Sequence, residues 1–220
     1  MLSSETTEHR RSSGRFEIGP RVQSRSGSIR GESDQPFAGS VPLIHNAGVG
    51  FVSPDHFERN LGLVDKWKVL LPKAGDGHGR ELSYVIGEPI AVAPGSACTE
   101  SYFVAGAFDS RDECANYASF LCTKFARFLV LQRKVTQDIT ADRFRFVPTL
   151  PMSTTWADSE LYEYFDLAPA DIEYIERSIQ PRHLILSLDS PVPQTHLPGG
   201  RKYRAGDAPP EPDDEDGDDE

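Results

Sequence analysis

The stretch that decides the fold is "SRDECANYASFLCTKFARFLVLQ", residues 110–132. It opens on Ser110-Arg111-Asp112-Glu113, a capping box in which a serine hydroxyl and a glutamate three residues on satisfy orphan amides at a helix start. Cys114, Tyr117, Leu121, Phe125, Phe128 and Leu129 then recur at steps of three and four. That spacing predicts one amphipathic helix running to about Gln132, with an apolar stripe facing a core. Lys124, Arg127 and Arg133 fall largely off the stripe.

Upstream of this helix the chain changes period. "WKVLLP" (67–72) reads as a buried strand ended by proline, and "KAGDGHGRE" (73–81) as a glycine-rich loop. "SYVIGEPIAVAPGSACTESYFVAGAF" (83–108) reads as two strands about a Pro94-Gly95 turn, with Tyr102, Val104 and Ala105 prolonging a β-prone run. "VPLIHNAGVGFV" (41–52) predicts two short strands and a turn. "DHFERNLGLVDKW" (55–67) predicts a short helix capped by Ser53 with Pro54 in its first turn. Downstream, "RFRFV" (143–147) alternates basic and apolar residues as an edge strand does. "ADSELYEYFD" (157–166) and "PADIEYIERSIQ" (169–180) predict two short helices, and "HLILSL" (183–188) a short edge strand.

The expected fold class is therefore α+β: a small mixed or antiparallel sheet, one long amphipathic helix, two short C-terminal helices and disordered tails. Residues 1–40 are Ser/Arg-rich without helical or strand period, 41–182 form the folded domain, and 183–220 are a flexible Pro/Gly-rich and acidic tail. Hydrophobic residues make up 38% of the chain, below the usual ~45–50%, and the two flanks account for the deficit.

The formal charge of -11 is mostly a tail effect. Nine acidic residues lie between Ala205 and Glu220 with no base among them, so the rest of the chain is close to neutral. An acidic total is thus no argument against a basic face. From Leu121 to Phe146 there are six basic residues against Asp138 and Asp142.

Several chemistries find no support. Cys98, Cys114 and Cys122 form no CxxC pair and fit a reducing cytoplasm better than a disulfide framework or zinc site. The six histidines are scattered, with no HxxxH or HxH pair. "AGDGHGR" (74–80) lacks the lysine-hydroxyl pair of a phosphate loop and does not match GxGxxG. Asp55, Asp65 and Lys66 do not make a nuclease spacing, and nothing pairs Glu88, Glu100 and Asp109 into an acid and a base. No apolar run reaches the ~18 residues that cross a bilayer.

The basic element admits two readings: a phosphate-facing helix end, or an amphipathic helix whose cations favour its own C-terminal dipole. A family likeness bears on the choice. Taken in order, "CTESYFV", "TKFARFLV", "KVTQD", "FRFVP" and "WADSELY" resemble the C-terminal part of adenine-specific DNA methyltransferases of restriction–modification systems, those with a TaqI-like specificity domain. The likeness spans about residues 42–182. It implies a target-recognition module that cradles double-stranded DNA, while a separate domain or subunit binds S-adenosylmethionine and transfers the methyl group. The family's Asn-Pro-Pro-Tyr motif and a glycine-rich cofactor loop are absent from this sequence. The chain itself is therefore expected to be non-catalytic, to hold no cofactor, and to work with a catalytic methyltransferase or restriction subunit.

Within that likeness, residue chemistry nominates Lys124, Arg127, Arg133 and Lys134 for phosphates, and Thr136 and Gln137 for positioning or base contacts. Arg143 and Arg145 are nominated for a second, strand-borne contact. The same motifs are equally readable as a packing signature, with the chain a docking remnant rather than a DNA binder.

Overall fold

The structure is a computed structural model, and it describes residues 33–45, 48–57, 60–73, 84–133 and 139–182. Among the described residues, two three-stranded sheets and four α-helices make an α+β fold. The first sheet has the order β2-β1-β5, built from β1 (Val41–His45), β2 (Gly48–Val52) and β5 (Ala97–Cys98). β1 and β2 form the antiparallel hairpin expected from "VPLIHNAGVGFV", whereas β5 runs parallel to β1 with Leu43 opposite Ala97. Ser33, inside the stretch read as disordered, exchanges both backbone hydrogen bonds with Phe51 and covers the outer edge of β2.

The second sheet has the order β4-β3-β6, with β3 (Trp67–Pro72) between β4 (Ile90–Val92) and β6 (Tyr102–Phe108), all antiparallel. The Pro94-Gly95 turn thus leads from one sheet into the other, and the stretch read as two strands holds three.

Strand alternation makes the second sheet the middle layer. On β3, Val69 and Leu71 face the helices while Leu70 faces the first sheet; on β6, Phe103 faces the helices while Tyr102 and Val104 face the first sheet. Successive residues of a strand point to opposite faces, so one strand feeds two cores. Lys68 shares the parity of Leu70 and is almost wholly buried. Its ammonium donates to Lys66 O at 2.9 Å, Val64 O and Ser96 Oγ at 3.2 Å, and Ala93 O at 3.5 Å. Burial pulls its pKa from 10.5 down to about 8.

The helical layer corrects one expectation. Instead of one long helix there are two, α1 (Arg111–Cys122) and α2 (Lys124–Leu131), separated at Thr123. Ser110 caps α1 as the sequence predicts, accepting from Asp112 N and Glu113 N. Thr123 takes an extended backbone, its hydroxyl donating to Phe120 O at 2.7 Å and accepting from Ala126 N at 3.2 Å. It closes one helix and caps the next, so the apolar face rotates at the joint.

The remaining helices, α3 (Asp158–Tyr164) and α4 (Pro169–Ser178), match the two predicted short helices, the second with Pro169 in its first turn. "DHFERNLGLVDKW" forms no α-helix within the described residues: Ser53 caps a 3-10 turn at Pro54–His56, and a second such turn spans Leu61–Leu63. "RFRFV" is not a strand either. Ala141–Phe144 is a 3-10 turn that buries Phe144 and Val147, three residues apart, and exposes Arg145 and Phe146. Three residues per turn brings Phe144 and Val147 to one side, where strand alternation brings Phe144 and Phe146 together. The loop at 74–81 and "HLILSL" lie outside the described residues.

Candidate nucleic-acid interface

Of the eight nominated residues, the five that are described separate into three groups. Arg127 is 0% exposed. Its Nε donates to Cys122 O and Thr123 O, both at 3.1 Å, so the side chain folds back across the helix joint. Here the expectation fails: the break at Thr123 turns Arg127 inward with Phe125, Ala126 and Val130. In this position its guanidinium is closed off from solvent.

Lys124 is turned to another task. Its ammonium pairs with the Glu176 carboxylate and also donates to Glu176 O at 3.0 Å, leaving its side chain 17% exposed. The phenol of Tyr162 donates to the other Glu176 oxygen at 2.8 Å. The Lys124 hydrogen bond is the main cause holding the Glu176 carboxyl below its ordinary pKa. Beside it, Asp158 accepts from Lys124 N at 3.0 Å and Phe125 N at 2.9 Å, one oxygen to each. An acidic side chain thereby caps the first turn of α2 from another element, satisfying orphan donors and favouring the helix dipole. The "TKFARFLV" and "WADSELY" motifs are therefore joined by a structural contact, in keeping with a packing signature.

The third group is a cluster. Arg133, at the end of α2, donates to Asp142 Oδ2 at 3.0 Å. Arg143 Nη1 lies 4.0 Å from the same oxygen and donates to Arg133 O at 3.0 Å. Arg145 Nη1 lies 3.6 Å from Asp142 Oδ1, with its side chain 68% exposed. Above all from the Arg133 hydrogen bond, then from the three guanidinium charges, the Asp142 carboxyl is held below its ordinary pKa. Among the described ion pairs, Asp142 is shared by all three guanidinium groups. The Arg133 guanidinium also sits 5.2 Å from the ring centroid of Phe146, which is 54% exposed.

What fixes this cluster is packing beneath it. Phe144 is buried edge-on against Phe103 of β6, with centroids 6.0 Å apart, and Ile139 N donates to Lys73 O at the end of β3 at 2.7 Å. Lys134, Thr136 and Gln137 lie outside the described residues, in the segment that joins Arg133 to Ile139. Asp142, the hub, enters the sequence reading only as a counter-charge. Its spacing of three from Arg145 is a usable signal only once a 3-10 or helical turn is recognised there.

Among the described residues, no three His, Cys, Asp or Glu side chains converge as a metal site does, and no helix is long and apolar enough to cross a membrane. All three cysteines are free and buried, and burial raises Cys98 and Cys114 to about 12 and Cys122 to about 11. These cysteines therefore offer no activated thiol. No family model, no curated protein and no solved structure matches this chain.

Proposed function

We propose that the chain is a cytoplasmic, DNA-binding target-recognition module of the kind found in restriction–modification adenine methyltransferases, non-catalytic by itself. The observation that carries this reading is the Arg133–Arg143–Arg145 cluster, three guanidinium groups about one carboxylate beside an exposed aromatic ring. Arginine suits phosphate because its planar fork makes paired hydrogen bonds. The cluster also flanks Lys134, Thr136 and Gln137 in the chain, which on this reading add a phosphate contact and approach base edges. S-adenosylmethionine binds a separate catalytic domain or subunit, which is the expected partner. The test is fluorescence anisotropy of randomised duplex DNA across a salt series. Micromolar binding that weakens steeply with salt is the expected result, and no binding at low salt contradicts it.

A second reading, docking on a methyltransferase or nuclease subunit without DNA affinity, is favoured by the exposed rings of Tyr164 on α3 and Tyr174 on α4. Co-sedimentation with a catalytic subunit, unchanged by removal of DNA and by Arg145→Gln, supports that reading over the first.

A further inference from the structure

Phe146 stands outside the core, on a turn the core holds in place. Phe144 and Val147 are buried beneath it, with Val147 N donating to Phe144 O at 3.0 Å and Arg145 N to Asp142 O at 3.3 Å. With those two side chains inside, Arg145 and Phe146 face solvent together. Water suits the guanidinium of Arg145, but a phenyl ring has no polar atom to hydrate, and Phe146 is nonetheless 54% exposed.

A lone exposed apolar side chain needs no explanation; this one is set among cations. The Arg133 guanidinium carbon lies over its ring, 5.2 Å from the centroid, against the face that attracts positive charge. Asp142 fixes that guanidinium at 3.0 Å and holds the Arg145 guanidinium at its other oxygen, 3.6 Å away. One carboxylate thus orients a cation on the ring and a second cation on the residue next to it. Such a pairing suits a partner that offers negative charge and a flat apolar face together, and a nucleotide with its base unpaired is that partner.

We propose that this face takes DNA at an unpaired base, with the base stacked on Phe146 and the adjoining phosphate on Arg145. Inside an intact duplex both faces of a base are covered by its neighbours, so paired DNA meets the cations without using the ring. Every base has a π-face, so the ring senses that a base is unpaired and not which base it is. The proposal rests on the DNA-binding reading and adds the form of DNA that the face prefers.

The test is competition anisotropy with the full chain, comparing a fully paired duplex with the same duplex carrying one bulged adenine, at one salt concentration. The wild type should bind the bulged duplex at least about fivefold more tightly, the low end of what base–aromatic stacking contributes. A bulge also makes a duplex easier to bend, which favours many binders, so the variants decide. In Phe146→Leu the preference should fall below about twofold, and in Phe146→Trp, which restores a stacking face, it should return. Arg145→Gln should weaken both duplexes and keep the preference. Both duplexes bound equally by the wild type, or a preference that survives in Phe146→Leu, overturns the proposal and leaves the DNA-binding reading standing. Failure to bind either duplex overturns both.

Discussion

Lys68 shows what a single residue asks of the fold. Its amine is held by three carbonyls and one hydroxyl, with a pKa of about 8 against 10.5 when solvated. The folded state therefore prefers the neutral amine. The unfolded chain binds more protons between about pH 8 and 10.5, so stability from this group rises with pH across that window. The buried thiols act oppositely. Their pKa values are raised, so their contribution is complete only well below pH 9 and lost as pH climbs through 11–12. Between pH 7.5 and 9 ionisation of the three thiols in the unfolded chain offsets what the lysine supplies, so wild-type stability in urea should stay nearly flat although Lys68 alone adds about 1 kcal/mol. In Lys68→Met that gain should vanish; a wild-type slope retained in the variant contradicts the assignment. Nothing in "WKVLLP" distinguishes this lysine from a solvated one, because its partners come from residues 93–96 and from the turn before β3. Arg127 was illegible for a kindred reason: its place relative to the stripe depends on where the helix breaks.

At the scale of elements, the joint between α1 and α2 is the most informative feature. The Ser110 cap, the strand at 67–72 and both short C-terminal helices were readable because each carries its own local chemistry. The break was not, since Thr123 sits inside an unbroken three-and-four pattern and its cap partner Asp158 lies far along the chain. Replacing Asp158 with Ala removes both side-chain acceptors from the start of α2 and should cost about 1–2 kcal/mol by urea denaturation; a loss under a few tenths would mean the cap is dispensable. Packing between α1 and β6 gives a second expectation. A Cβ at Gly106 would lie 2.8 Å from ring carbons of Phe108 and Tyr117, while the Tyr117 hydroxyl donates to Ala105 O at 3.2 Å. Gly106→Ala should destabilise by about 1–3 kcal/mol through overpacking, with the Tyr117 near-UV signal altered. "RFRFV" was misread because basic-apolar alternation over four residues fits a strand and a 3-10 turn alike, and only the depth of Phe144 and Val147 decides.

For the whole molecule, three layers set where charge can act. The first sheet and one face of the second share a core, the helices cover the other face, and the end of α2 delivers Arg133 beside the turn that carries Arg143 and Arg145. Of the nominated basic residues that are described, packing takes Arg127 inside and gives Lys124 to Glu176, leaving Arg133, Arg143 and Arg145 gathered about Asp142. The measurement that tests this account most directly is anisotropy of duplex DNA against salt for wild type, Arg145→Gln, Asp142→Asn and Lys124→Gln. Loss of one phosphate contact should weaken Arg145→Gln and lower its log–log salt slope by about 0.9. Removing the carboxylate that the three guanidinium groups share should tighten binding in Asp142→Asn, and Lys124→Gln should match the wild type. Equal affinities for the wild type, Arg145→Gln and Asp142→Asn, or a loss confined to Lys124→Gln, would contradict it.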